Sequence, residues 1–232
     1  MLQAVILSGG LGTRLRPLTE TIPKPMVPVN GKPFLEYVIN LLSRNGLEDC
    51  ILCVGYLGEK IEKYFGNGER FGVRIRYSYD GEELLGPAGA LRQAGPLLEG
   101  SFFVTYGDAY LRLEYKKVMS AFLESKKLGL MVVYKNQNRL GRSDVEVNDG
   151  YVTSYDKKIQ TKEMVWINFG VSALKKEALN FIPPDRSCGE EEFYGELIKR
   201  HELIARETSE RFYEIGTLQS LEEFEKFISS KF

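Results

Sequence analysis

The chain has 232 residues, 43% hydrophobic and 27% charged, the ordinary balance of a soluble globular protein long enough to bury a substantial core. Its formal net charge is −1, so no global basic field draws it to nucleic acid or to an anionic membrane, and affinity for phosphates has to come from a local cluster. One histidine and three cysteines rule out a histidine triad and a multi-histidine zinc centre, which leaves carboxylates, cations, backbone amides and a metal for any chemistry.

The first apolar stretch, Ala4 to Leu7, reads as a strand. No basic region and cleavage site precede it, and no apolar run reaches membrane-span length, so the chain is expected to be cytoplasmic. The strand empties into Ser8-Gly9-Gly10-Leu11-Gly12-Thr13, with Arg14, Arg16 and Lys24 around it. Glycines leave no side chain between main chain and ligand, and the exposed amides of such a turn make a concave donor surface for phosphate oxygens. Neither the P-loop spacing nor the dinucleotide-binding spacing of glycines occurs here.

Pro33 opens a helix in which Phe34, Leu35, Val38, Leu41 and Leu42 recur at helical spacing until Asn45-Gly46 stops it. Strand and helix then alternate: strand Cys50–Val54, helix Glu59–Phe65, strand Val73–Tyr77, helix Ala88–Leu98, strand Phe102–Thr105, helix Val118–Lys127 and strand Leu130–Tyr134. This rhythm predicts an α/β fold with a mostly parallel sheet flanked by helices, in which ligands bind beyond the carboxyl ends of the strands. The glycine turn and Asp108 both follow such ends, so they are expected to face one crevice. Cys50 and Cys53 lie inside an apolar strand and read as buried free thiols rather than a redox pair.

The second part changes character. Asn148-Asp149-Gly150 between two alternating runs predicts a hairpin, Glu163–Val171 a strand, and the acidic run from Glu190 a helix start favourable to the helix dipole. Arg211–Ile215 reads as a short strand, and the last helix carries Leu218, Leu221, Phe224, Phe227 and Ile228 on one face, as core or as a contact between subunits of a homo-oligomer. Residues 1–232 are expected to form one domain, with a core over residues 1–137 and a small β-rich flap from roughly residue 138 to 172 packed on the sheet within the remainder.

The stretch Gly9 to Leu15, Pro17, Thr19, Pro23 to Met26, and Val29 with Pro33 resembles the signature of nucleotidyltransferases that join a nucleoside triphosphate to a sugar 1-phosphate. The resemblance continues in weaker patches along the whole chain. It implies the Rossmann-like nucleotide-diphospho-sugar transferase fold, a Mg²⁺ cofactor, and release of pyrophosphate from NTP as the product NDP-sugar forms. It also implies the roles of particular residues. Leu7, Ser8, Gly9, Gly10, Gly12 and Thr13 would cradle the nucleotide; Arg14 would hold the β and γ phosphates and Lys24 the α-phosphate. Gly86-Pro87-Ala88-Gly89 resembles the segment against base and ribose, with Pro87 where threonine is usual and Glu83 just before it as a further acceptor. Asp108 matches one metal-binding aspartate. Glu214, in Glu-Ile-Gly-Thr, replaces the second and would reach the ion directly or through a water. In Tyr155-Asp156-Lys157-Lys158, Lys157 maps to the lysine that neutralises the sugar phosphate and Asp156 to a sugar-contacting acid, and Asn168 would bond a sugar hydroxyl. Two other functions share these residues. One is a cytidylyltransferase for phosphocholine or a similar phosphomonoester, with Trp166, Phe169, Tyr151 and Tyr155 as an aromatic wall; the other is an NTP-binding regulator without turnover.

Overall fold

The computed structural model describes residues 2–81, 83–184 and 186–230. Strand β1 (Gln3–Leu7) leads through the glycine turn to a short hairpin, β2 (Pro28–Val29) with β3 (Lys32–Pro33), and on to helix α1 (Phe34–Arg44). There follow β4 (Asp49–Val54), α2 (Gly58–Phe65), β5 (Arg74–Tyr79), α3 (Gly86–Gln93), β6 (Ser101–Tyr106), β7 (Ala109–Leu111), α4 (Tyr115–Ser125) and β8 (Gly129–Lys135). The second part adds β9 (Val145–Asn148), β10 (Tyr151–Tyr155), β11 (Trp166–Lys175), α5 (Glu190–Lys199), β12 (Leu203–Glu207), β13 (Phe212–Glu214) and α6 (Leu218–Ser229).

Nine strands form one sheet in the order β5-β4-β1-β6-β11-β8-β12-β10-β9. The pairs β5–β4, β4–β1, β1–β6 and β8–β12 are parallel, whereas β11 runs against β6 and β8, and β10 against β12 and β9. Seven strands therefore point one way and only β10 and β11 oppose them. Alternating side chains split between the two faces: Ala4 and Ile6 of β1 join a core under α1, α2, α4 and α6, and Val5 joins the one under α3 and α5. Helices on both faces are what make β1 and β4 buried along nearly their whole length, and hence apolar without alternation.

Several boundaries differ from expectation. The helix expected over Ala88–Leu98 ends at Gln93, and a short 3-10 turn takes Gly95–Leu97, because Pro96 has no amide for a helical bond. The strand expected over Glu163–Val171 lies at Trp166–Lys175, with an irregular register between Asn168 and Ser172 around Gly170 (φ 69°). The hairpin forms with Asp149 and Gly150 both at positive φ, the geometry a two-residue turn of that hand requires. It does not pack on the sheet as a flap but extends it, through β10 on β12 and β9 on β11. Strand β12, with no alternation strong enough to announce it, is the element that joins the hairpin to β8. All three cysteines are free and buried; burial pushes the Cys50 thiol up to about 12 and Cys53 higher still, which removes thiolate chemistry at neutral pH.

Candidate active site

The chain runs outward from β1 to β4 and β5, then returns to the other side of β1 with β6. This is a topological switch point, where the loops leaving neighbouring strands separate and open a crevice. Leu7 at the end of β1 pairs with Tyr106 at the end of β6, so the glycine turn and Gly107-Asp108 leave the sheet side by side. Gly107 donates its amide to the Leu7 carbonyl at 2.9 Å. A Cβ there would run into Ser8 Oγ and stand 3.1 Å from Pro25 Cγ, so glycine lets the two exits pack together. The result is an ion pair in which Lys24 Nζ donates to Asp108 Oδ2, both side chains partly buried. Gly12 holds a left-handed conformation (φ 62°), and its carbonyl accepts from the Thr19 hydroxyl at 2.8 Å, which fixes the turn.

Glu214 reaches the same place through a separate two-stranded ladder. In it β13 pairs antiparallel with β7, Glu214 facing Ala109, and the Ile215 amide donates to the Asp108 carbonyl at 3.2 Å. The Glu214 carboxylate folds back over Gly216, where a Cβ would meet Glu214 Oε1 at 2.8 Å. Asp108 and Glu214 line one lobe of the crevice together with Arg14. Asp108 and Tyr106 also line the second lobe, formed by Leu7, Ser8, Gly9, Gly10, Lys24 and Pro87, so the two lobes meet at Asp108.

The lobe containing Arg14 and Glu214 also holds Lys157, Asn168, Asp144, Glu190, Arg139 and Arg211. Lys157 donates to Glu190 Oε1, and Tyr106 donates its hydroxyl to Glu190 Oε2. Burial pulls the Lys157 ammonium down, but Glu190 outweighs it and holds the group above its usual range. Asn168 donates from Nδ2 to Tyr155 Oη at 3.4 Å and accepts the Gly170 amide at 2.9 Å. Asp144, 8% exposed, accepts the Asn168 amide at 3.0 Å; burial raises its carboxyl to about 6 against the pull of that amide and of Lys157.

Not every expected residue arrives. Asp156 does not line the crevice: its Oδ1 accepts the Lys158 and Ile159 amides at 2.6 and 2.7 Å, a local turn whose donors hold the carboxyl below its usual range. Asp144 and Glu190 are the acids that face the lobe instead. On the other side, Ala88 and Gly89 turn away from the crevice; their amides donate to the Cys188 carbonyl at 3.1 and 3.3 Å, and a Cβ on Gly89 would press Leu85 rather than a ligand. Glu83 and Thr13 are exposed, and neither is among the lining residues. Asp80, at the end of β5, occupies the wall that Glu83 was expected to supply. It follows its strand as Asp108 follows β6, and that repeated placement was the signal available for it. The aromatic wall does not assemble: Phe169 stacks between Tyr134 and Phe212, Tyr151 stacks on His201, Tyr155 meets Tyr194 edge-on, and Trp166 donates to Glu207.

A family model described as nucleotidyl transferase matches residues 3–231. The D-glycero-alpha-D-manno-heptose 1-phosphate guanylyltransferase of Campylobacter jejuni is 34% identical over 216 residues, which are 93% of this chain and 95% of that protein. A UTP–glucose-1-phosphate uridylyltransferase of Synechocystis is 33% identical over 198 residues, 78% of this chain and 51% of the longer relative. Among solved structures, HddC from Yersinia pseudotuberculosis in complex with GMP-PN superposes with a TM-score of 0.82 at 26% identity, over 98% of this chain and 100% of that one.

Proposed function

The chain belongs to the nucleotidyl transferase family, and from that premise we propose that it transfers a nucleoside monophosphate from NTP to a sugar 1-phosphate, releasing pyrophosphate. One observation carries this reading: a glycine-turn lobe and a lobe holding Lys157 meet at Asp108, beside Lys24. Two polyanions bound in the two lobes would present the phosphate oxygen of one to the α-phosphorus of the other. The nucleophile is already an anion, so the reaction needs little proton transfer and no histidine. What it needs is alignment and charge compensation. Alignment of bound reactants contributes about 7–11 kcal/mol in favourable cases.

The residues divide accordingly. The core within residues 1–137 carries the nucleotide side, and residues 138–232 carry most of the acceptor side. Amides of Gly9 and Gly10 face the nucleotide, and a Cβ on Gly10 would meet nothing within 4 Å, which leaves the backbone open to a ligand. Arg14 and Lys24 compensate the triphosphate, Lys24 at the α-phosphate once nucleotide separates it from Asp108. Lys157, helped by Arg139 and Arg211, holds the acceptor phosphate. Asp144, Glu190 and Asn168 accept from or donate to sugar hydroxyls.

Asp108 and Glu214 would hold Mg²⁺, a hard ion that takes one or two carboxylates plus substrate phosphates. The donor set fits: Asp108 and Glu214 line one lobe, with Glu214 set opposite Ala109, the residue after Asp108, and among the described residues no cluster of three His, Cys, Asp or Glu side chains forms a complete protein cage. When bound, the ion would supply charge stabilisation along the triphosphate. Base choice differs among the relatives, guanylyl in one and uridylyl in another, so it belongs to the base wall rather than to the phosphate turn.

The test is pyrophosphate release from the common NTPs with hexose and heptose 1-phosphates and with phosphocholine, with Mg²⁺ and with excess chelator. Metal-dependent release with a sugar 1-phosphate is expected. Release with phosphocholine alone, or nucleotide binding without release from any pair, refutes the reading.

A further inference from the structure

Among the described residues, Asp80 has no cation and no close donor. Its amide is tied to the Val54 carbonyl at 3.0 Å, which fixes the backbone at the exit of β5. Among the described residues, Oδ2 accepts the Leu85 amide alone, at a long 3.4 Å, and Oδ1 is buried with no hydrogen-bond partner. Burial raises its carboxyl against the pull of the Leu85 amide. A buried carboxylate left this way is costly unless something else supplies its donors.

The surroundings indicate what supplies them. Asp80 Oδ2 lies 3.2 Å from where a Cβ on Gly9 would stand, and equally near that of Gly55, so two glycines leave room for it to reach back toward the phosphate turn. Leu84, Pro87 and Ala90 make the rest of that wall apolar. Lys24 and Asp108 lie on the β6 side of the turn, and Asp80 on the β4 side. A nucleotide with its phosphates at the first pair would extend its base toward Asp80, between apolar surfaces suited to a flat ring.

We propose that Asp80 selects guanine, accepting from N1–H and the 2-amino group of the base. This deepens the reading above and rests on it. An ionised carboxylate only accepts. Guanine is the common base whose outer edge offers two adjacent donors. Uracil and thymine place their single N–H between two carbonyls, whose lone pairs would face the carboxylate. Adenine and cytosine set a ring-nitrogen acceptor beside their amine. A site built around a missing donor rejects ligands that cannot provide it, because its own polar group then stays buried and unpaired.

The experiment is calorimetric titration of the full chain with GTP, ITP, ATP, CTP, UTP and dTTP in Mg²⁺, so no acceptor sugar has to be known. ITP keeps N1–H and lacks only the 2-amino group. GTP is expected to bind most tightly, with ITP weakened by roughly ten- to a hundredfold. Asp80→Asn, which keeps an acceptor for the Leu85 amide, should lose most of the GTP-over-ITP difference. Equal affinity for GTP and ITP in the unmodified protein, or tighter binding of a pyrimidine nucleotide, overturns the proposal whether or not the variant folds. Pyrophosphate release alongside equal GTP and ITP binding sinks the base assignment and leaves the transfer reaction standing. Discrimination against ITP without release from any pair supports Asp80 and sinks the transfer.

Discussion

Asp144 makes the stability of this protein depend on pH in a direction opposite to that of most carboxylates. Its carboxyl is raised from 3.8 to about 6, chiefly by burial, with Glu190 adding to the shift while Lys157 and the Asn168 amide oppose it. Between those two values the folded protein holds a proton that the unfolded chain has released, so stability falls as pH rises through the window and levels off above it. The displacement corresponds to about 3 kcal/mol, at 1.36 kcal/mol for each tenfold change in proton affinity. Asp144→Asn keeps an acceptor for the Asn168 amide and removes the titration. Urea or thermal unfolding of both proteins at steps from pH 4 to 8 should therefore show the wild type losing about 3 kcal/mol relative to the variant on going up in pH. In a chain of this length that is roughly 6–12 °C of melting temperature. The difference should be complete by about pH 7. A wild-type-minus-variant difference that stays flat across the range refutes the reasoning, because it means that water or a neighbouring cation already solvates the carboxylate.

Lys24→Ala should lower kcat by about 10²–10³, the effect of removing one aligned charge stabiliser; assaying well below the variant's melting temperature separates that loss from the stability lost with the partly buried ion pair to Asp108. Gly107→Ala and Gly10→Ala make an informative pair. The first drives a Cβ into Ser8 Oγ and against Pro25 and should destabilise by about 1–3 kcal/mol through overpacking; the second meets nothing within 4 Å and should keep its stability while KM for NTP rises. Equal stability losses in both would disprove the assignment of open backbone to Gly10. Asp156→Ala should leave the KM for the acceptor within about threefold of wild type, because its carboxylate serves the turn at Lys158 and Ile159. A large increase in that KM would return Asp156 to the acceptor site.

The division between what was legible and what was not follows the range of each interaction. Alternation of apolar and helical segments announces β1, α1, β4, α2 and β6 because burial on two faces imposes its period on the residues themselves. The glycine turn is equally legible, since a turn that takes Gly12 to positive φ demands glycine locally. Asp108 could be placed for the same reason: it ends a strand beside that turn, and the parallel direction of β1 and β6 does the rest.

Contacts that depend on where a distant segment lands were not written in any local pattern. Glu214 joins Asp108 only because β13 pairs with β7, and nothing in Phe212–Glu214 specifies that partner. Asp156 and Asp144 are both plain acids in the sequence, yet one is captured by the next two residues and the other buried against Asn168 by β11. Glu190 looks like a helix-start charge, and only the arrival of Lys157 from the bend after β10 and of Tyr106 from β6 gives it another task. Sequence by itself determined the class of the fold and the glycine-turn end of the candidate site, where each requirement is met within a few residues. Tertiary structure decided which acids face the two lobes, because a carboxylate's role is set by the donors that long-range pairing carries to it.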